Sequence, residues 1–386
     1  MEVYLDHAAT TWVYPEAAGL MNDIMLKDYG NPSSLHRMGI AAEQYVRNSA
    51  ETIAGILKVP AKNIFFTSGG TESNNWAIFG TARAKRHKGK HIITTAVEHA
   101  AVSSPLAILK KDGYTVTTVG VNEKGVVKVD ELAAAVTPET VLVSVMLVNN
   151  EIGAVQPVKE VYEAVHAVNP DTLIHVDAIQ GFGKMEIRPK QMHIDFLAVS
   201  GHKFHGPKGV GFLYISDRAM PGMVPLIYGG GQQSGMRSGT DNVPGIAGMG
   251  KAAQLVYSSL AENREHMFAV REYLISRFDA MENVIIHGSR GRDCAPHVLN
   301  VSFSGVRSEV MLHALEDKGI YISAGSACSS HKRTPSATLT AIGCRKAETE
   351  SAVRFSFCEK TTLEEAAFAA DMIEALLETL RKFTRR

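Results

Sequence analysis

Between residues 63 and 216 the chain alternates two hydrophobic rhythms. Short runs rich in β-branched and aromatic residues fall at 64–67, 91–95, 115–119, 141–148, 173–176, 196–199 and 211–215. Helix-like stretches such as 72–84 and 158–168 separate several of them. Runs that are apolar at nearly every position suit strands buried on both faces. Their alternation with helices predicts an α/β architecture, a mostly parallel seven-stranded sheet flanked by helices. Ligands in such sheets sit beyond the carboxyl ends of the strands, and Asn150, Asp177 and Lys203 all fall at such ends.

The glycine-rich passage 228–239 breaks this rhythm. A long helical stretch, 246–281, then leads into a region that reads as strand (284–287), strand (298–303), helix (309–318), strand (320–323), loop, helix, strand (353–357) and a final helix. The last helix, 363–383, carries Leu363, Ala366, Ala370, Ile373, Leu377 and Leu380 at three- and four-residue spacing, one apolar face for packing. The expected organisation is a large domain, 16–255, and a smaller α+β domain made of 1–15 and 256–386.

Composition narrows the class. Apolar residues make up 45% of the 386 and charged residues 21%, as in ordinary globular proteins. Lys+Arg and Asp+Glu are both 40, so neither nucleic acid nor an anionic membrane is expected as a partner. The N-terminus lacks the basic start and apolar stretch of a secretory signal, and no apolar run is long enough to cross a bilayer. The cysteines Cys294, Cys328, Cys344 and Cys358 form no Cys-x-x-Cys pair, so neither a structural zinc site nor a disulfide scaffold is expected. A reducing, cytoplasmic setting is the default and keeps a reactive thiol usable.

Lys203 follows the apolar run 196–199 in Ser200-Gly201-His202-Lys203, just ahead of the glycine-rich 206–211. A lysine shielded there can have its amine pKa lowered, the state a Schiff-base lysine needs. Taken alone, a His-Lys pair before a glycine turn also reads as a solvated loop. Asp177 and Gln180 close the preceding run in His175-Val176-Asp177-Ala178-Ile179-Gln180. A lysine to hold an aldehyde and an aspartate to pair with a pyridinium nitrogen suit pyridoxal phosphate. Thr67-Ser68-Gly69-Gly70-Thr71-Glu72-Ser73-Asn74 turns a strand into a helix whose N-terminal N–H groups suit a phosphate, although the same residues read as a capping box. Thr71, Ser200 and His202 offer further donors. Neither nucleotide-binding glycine motif is present, so nucleotide cofactors are disfavoured. His99, beyond the run 91–95, is placed to cover a planar ring and to act as acid or base, where most lone histidines are surface or core residues.

Cys328 lies in Ser323-Ala324-Gly325-Ser326-Ala327-Cys328-Ser329-Ser330-His331-Lys332-Arg333, small and polar residues without apolar periodicity. This predicts a mobile loop rather than core. His331, Lys332 and Arg333 favour a thiolate there, whereas Cys294, Cys344 and Cys358 read as buried hydrophobes.

Together these segments resemble the cysteine desulfurases of the NifS/IscS type, in the class V aminotransferase group of fold type I pyridoxal-phosphate enzymes. The resemblance runs through Asp6-His7-Ala8-Ala9-Thr10-Thr11, Gly30-Asn31-Pro32-Ser33-Ser34, Gly70-Thr71-Glu72-Ser73-Asn74, Glu98-His99 and Val148-Asn149-Asn150-Glu151-Ile152-Gly153. It continues through His175-Val176-Asp177, Ser200-Gly201-His202-Lys203, Met236-Arg237-Ser238-Gly239-Thr240, Gly325-Ser326-Ala327-Cys328 and Val353-Arg354-Phe355-Ser356. It implies a homodimer that takes sulfur from L-cysteine, leaves L-alanine, and passes a persulfide on Cys328 to an acceptor protein for iron–sulfur cluster assembly or for tRNA or cofactor thiolation. It implies that Lys203 carries the cofactor and removes the substrate α-proton, that Asp177 pairs with the ring nitrogen, and that Gln180 meets the ring hydroxyl. His99 covers the ring and moves protons. Gly70, Thr71, Ser200 and His202 hold the phosphate, with Thr240 given by the second subunit. Asn31, Asn150 and Arg354 take the substrate, Asn150 also touching the cofactor, and Cys328 is a candidate transient iron–sulfur ligand with no resident metal. Ala324 replaces a serine of many relatives. The chain stops at Arg386, without the longer tail by which relatives dock a housekeeping scaffold, so that docking mode is not expected. A selenocysteine lyase or a transaminase is the rival enzyme reading. A cofactor-binding assembly protein that has lost its chemistry is the rival from another class.

Overall fold

The computed structural model describes residues 1–324 and 335–383. Its strands are β1 (Val3–Tyr4), β2 (Ile64–Thr67), β3 (His91–Thr95), β4 (Thr115–Val119), β5 (Thr140–Met146), β6 (Leu173–Asp177), β7 (Phe196–Ser200), β8 (Gly211–Ile215), β9 (Val284–His287), β10 (Val298–Phe303), β11 (Ile320–Tyr321), β12 (Ser323–Ala324) and β13 (Ala352–Ser356). Seven of them form one sheet in the order β2-β8-β7-β6-β5-β3-β4. All neighbours are parallel except β8, which runs antiparallel to both β2 and β7. β5, β6, β7 and β8 are buried at every position. Alternate side chains enter opposite cores, as the strand period requires. Leu197 and Val199 join one apolar cluster with Ile174, Val176 and Phe182. Phe196 and Ala198 join the other with Leu213, Trp76 and Leu106.

A second, antiparallel sheet has the order β12-β13-β10-β9. The helices Leu260–Asp279, Ser308–Glu316 and Leu363–Phe383 cover it. Phe278, Phe303 and Phe355 meet there edge-on or tilted, with centroids 5.4–6.4 Å apart. Val3 and Leu5 from the N-terminus are buried in the same cluster.

Two elements differ from the pattern expected over 246–281 and 320–323. The long helix is two, Val243–Ser258 and Leu260–Asp279. At Ser259 the backbone leaves the helical region (φ −129°, ψ 26°), and the Ser258 hydroxyl donates to the Leu255 carbonyl, a bond that competes with continuing the helix. The break lets the first half pack on the helices Pro15–Leu26 and Arg37–Leu57, and the second on Leu363–Phe383. The run at 320–323 divides because its halves choose different neighbours: β11 pairs in parallel with β1, while β12 pairs antiparallel with β13.

Phe355→Ala empties the centre of the smaller sheet, where Phe355 is fully buried. It is expected to cost about 3–5 kcal/mol, measured as the loss of unfolding free energy in denaturant.

Candidate active site

The carboxyl ends of β5, β6 and β7 open on a cavity of about 400 Å³. Gly70, Thr71, His99, Asn150, Asp177, Gln180, Ser200, His202, Lys203 and Arg354 all line it. Asn31 and Thr240 are exposed and do not line it, and Cys328 lies outside the described residues.

Asp177, the last residue of β6, is buried with only 3% exposed. A directed chain of hydrogen bonds ends on its carboxylate. His175 is fully buried, and burial drives its pKa down to about 3, so its ring is neutral. The Ser144 hydroxyl lies 2.8 Å from His175 Nδ1, and His175 Nε2 lies 3.1 Å from Asn74 Oδ1. Asn74 Nδ2 donates to Asp177 Oδ2 at 2.7 Å, and the Ile179 N–H donates to Oδ1 at 3.0 Å. Burial nevertheless pushes the Asp177 carboxyl above its ordinary value, against His99, these donors and Lys203. A buried carboxylate in this state favours a cationic partner.

Lys203 ends the short turn Gly201–Lys203 that follows β7. Its Nζ donates to the carbonyls of Ala8 (2.7 Å) and Ala9 (2.8 Å). Gln180 Nε2 also donates to the Ala8 carbonyl, at 2.9 Å, and Gln180 Oε1 meets His297 Nε2 at 3.2 Å. The N-terminal segment is pinned alongside: Thr11 donates its N–H and hydroxyl to the His202 carbonyl, each at 2.9 Å, and accepts the His205 N–H at 2.8 Å.

The helix Gly70–Lys85 points its N-terminus at the cavity, since Gly70 and Thr71 line it. Its N-cap, Gly69, has φ +149° and no side chain to occupy the first-turn N–H groups. A Cβ at the facing Gly211 would stand 2.4 Å from the Val199 carbonyl oxygen and 2.8 Å from Gly69 Cα, so two glycines let this turn and β8 close on each other. Beside it, His202 Nδ1 lies 3.1 Å from the Thr10 hydroxyl. Burial, then Lys203 and Lys208, lower the His202 pKa to about 4. Glu72 accepts both the Ser68 N–H (2.7 Å) and a two-pronged contact from Arg237 (2.9 and 3.2 Å). Burial raises the Glu72 carboxyl, and those donors more than offset it, so it lies below the usual range. Uncapped N–H groups, a hydroxyl and a histidine form an anion cradle.

His99 caps the helix Ala100–Lys111, its Nδ1 accepting the Ala101 N–H at 3.1 Å. A neutral His99 therefore carries its proton on Nε2. Arg354, on β13, is 2% exposed. It donates through Nη1 to the Asn150 carbonyl and through Nη2 to Asp6 Oδ1, both at 2.8 Å. Its Nε is buried without a hydrogen-bond partner among the described residues. A guanidinium with a spare donor at a cavity wall suits a carboxylate ligand.

Sequence reasoning missed Asn74 as the support of Asp177. Its position four residues into the helix, one turn past Gly70, was the available signal. The carbonyls of Ala8 and Ala9 carried none, because backbone acceptors leave no mark on residue type. Farther inside, the ligand atoms of His205, Cys358 and Glu359 lie within 4.8 Å of one another, a geometry that could hold a cation. Glu359 is already engaged by the Tyr14 hydroxyl (2.7 Å) and His205 Nε2 (3.2 Å), and the buried Lys184 adds a positive charge beside it.

The donor set fits pyridoxal phosphate: a buried carboxylate short of a cation, an uncapped helix N-terminus with adjoining donors, and a lysine between them. Fold and site together define a class, and the chain belongs to the class-V aminotransferases, whose family model it matches over residues 3–367. Members of this family are pyridoxal-phosphate enzymes. The chain is 42% identical over 384 residues to the NifS/IcsS protein homolog of Lactobacillus delbrueckii subsp. bulgaricus, covering 99% of this chain and 98% of that one. It is 38% identical over 385 residues to cysteine desulfurase IscS of Clostridium botulinum, covering 99% and 96%. Among solved structures, a NifS-like protein superposes with a TM-score of 0.93 at 38% identity, over 98% of this chain and 100% of that one. SspA in complex with cysteine gives 0.82 at 33%, over 94% and 100%.

Asn74→Leu removes one donor from the buried Asp177 carboxylate. It is expected to weaken cofactor binding roughly ten- to a hundredfold (about 1.5–3 kcal/mol for a hydrogen bond to a charged group), read by absorbance titration with pyridoxal phosphate. A pH test follows from Glu359. Burial raises its carboxyl, and His205, Lys184 and Tyr14 more than offset this, leaving it at about 2. A folded-state value below the unfolded one contributes stability above about pH 4.5 that is lost as pH falls toward 2. Wild type is therefore expected to melt above Glu359→Gln at neutral pH, with the gap closing below about pH 4.5.

Proposed function

We propose that this chain is a cysteine desulfurase, taking sulfur from L-cysteine onto Cys328 and leaving L-alanine. The carrying observation is one cavity that joins Lys203 and Asp177 to an arginine with a spare buried donor. The names of the relatives and the cysteine complex of SspA support the same reading.

Lys203, Asp177, Gln180, His99 and Asn150 would hold the cofactor, with Gly70, Thr71, Ser200 and His202 at its phosphate. Pyridoxal phosphate supplies an electron sink for the substrate α-carbon when bound. Arg354 and Asn150 receive the substrate carboxylate, Arg354 through its planar fork. Lys203 takes the α-proton on Nζ. His99, carrying its proton on Nε2, exchanges protons with the substrate thiol. The Cys328 thiolate then attacks the substrate sulfur: an S–S bond forms, the C–S bond breaks, and its electron pair stays with the three-carbon fragment. That fragment takes up a proton at Cβ, regains one at Cα and leaves as alanine, so cysteine and one protein thiol become alanine and one persulfide.

Thr240 and Asn31 belong to this reading through a second copy of the chain. Leu26, Tyr29, Leu35 and Tyr228, at the end of the first helix, in the link to the second and in the glycine-rich passage, are 68%, 70%, 96% and 68% exposed, apolar side chains that a second copy could cover. A homodimer formed there buries them and lets Thr240 of one subunit serve the phosphate in the other. The sulfur acceptor is a thiol-bearing protein, an iron–sulfur scaffold or a thiolation enzyme, with Cys328 as a transient cluster ligand during handover. None of the described helices is long and apolar enough to cross a membrane, and we assign the protein to the cytoplasm.

Exposure of the holoenzyme to L-cysteine is expected to add the mass of one sulfur to the peptide holding Cys328 and to release alanine. Cys328→Ser should retain the cofactor absorbance and gain no such mass. A persulfide that forms normally on another thiol in that variant would refute the assignment.

A further inference from the structure

The turn 149–151 presents Asn150 to the cavity, yet its two flanking side chains reach elsewhere. Asn149 is fully buried and uses its whole amide. Nδ2 donates to the Val97 carbonyl (3.1 Å) and to the Thr338 hydroxyl (3.2 Å), while Oδ1 accepts the N–H groups of Glu151 (2.9 Å) and Ile152 (3.0 Å). Glu151, 6% exposed, accepts the Ser336 hydroxyl on Oε2 at 2.5 Å. Ser336 Oγ in turn accepts the Leu339 N–H at 3.0 Å as N-cap of the helix Ala337–Ala341. Residues 336–338 are thereby hooked to the same turn whose Asn150 carbonyl receives Arg354 Nη1. On the other side of 325–334, Ser323 pairs directly with Arg354 across β12 and β13. Both attachments of the stretch that contains Cys328 are fixed to one cavity wall, built by Arg354 and the 149–151 turn.

Burying a carboxylate is costly unless it is hydrogen-bonded. A buried carboxylate whose direct side-chain partner lies 185 residues away does more than close its own turn. We propose that Glu151, seated by Asn149, is a positioning residue for sulfur transfer: its bond to Ser336 fixes, at the wall of the cavity, the position and direction of the described chain that follows the Cys328 stretch. This rests on Cys328 being the sulfur acceptor. Length alone does not carry the effect. Without the hook, the next firm attachment is Leu339, buried against Ile152 three residues on, and so small a lengthening changes loop-closure probability by less than about twofold. Direction matters more, because a misplacement of about 1 Å can cost a hundredfold in rate.

The test uses holoenzyme and a single turnover of L-cysteine, following both the absorbance change on substrate binding and the sulfur mass gain on Cys328. Glu151→Ala and Ser336→Ala are each expected to slow the mass gain at least tenfold while half-saturation by cysteine moves less than twofold. The double variant should be no slower than the slower single one, as expected for partners in one interaction. Glu151→Gln, whose amide oxygen still accepts the Ser336 hydroxyl, should stay within about threefold of wild type, since a retained hydrogen bond preserves most of the positioning. A wild-type rate in both alanine variants, or a parallel loss of cysteine binding, overturns the proposal. So does a Gln variant as slow as Ala. Cys328→Ser run alongside separates the two ideas. Normal persulfide yield there refutes the acceptor reading itself, whereas its loss there with unchanged rates in the alanine variants refutes only the positioning role.

Discussion

A carboxylate withdrawn from water at the end of a central strand is the constraint around which this molecule is arranged. Asp177 cannot sit there as an anion unless donors reach it, and the fold supplies two, the Ile179 N–H and Asn74 Nδ2 from the helix Gly70–Lys85, with His175 on β6 and Ser144 on β5 holding the Asn74 amide behind it. Each link has one polarity, because the neutral imidazole donates at one nitrogen and accepts at the other. Even so, burial leaves the carboxyl above its ordinary value. That deficit would be met by a cationic group placed against Asp177.

The same economy appears around the lysine. The carbonyls of Ala8 and Ala9 accept hydrogen bonds from its amine. Parallel strands that end together bring Asp177, Ser200 and the Asn150 turn to one edge. The antiparallel β8 returns along that edge and lets Gly211 close against Gly69. Arg354 comes from the other sheet, so the cavity wall draws on both sheets.

Much of this was legible in the sequence where local chemistry and position coincide. The run 158–168 is a helix to the residue, and the strands 64–67, 91–95, 115–119 and 211–215 match in both bounds, with Gly, Pro, Asn, Asp or Ser close by on at least one side of each. Lys203 and Asp177 could be placed at strand ends from the apolar runs before them. What was hidden depends on partners remote in sequence. Nothing near Ser259 shows that the two helix halves choose different cores, and nothing near Ile322 shows that β11 and β12 belong to different sheets. Asn74 looked like part of a cap because its real partner is 103 residues away. Asn31 and Thr240 came only from the family resemblance, and a single chain does not bring them to the cavity.

The floor beneath Lys203 is made by residues 8 and 9, while the wall opposite is made by residue 354, tied to Asp6 and through the bridge of Asp6 with Ser356. These pieces come from opposite ends of the polypeptide. During translation the first of them emerges long before its counterpart, and chains fold from the N-terminus as they leave the ribosome. The large sheet can form on the nascent chain, but the pocket closes only after residues 354–356 have been made. Capture of a cofactor there is thus a late step of biosynthesis, open only to chains made past residue 356.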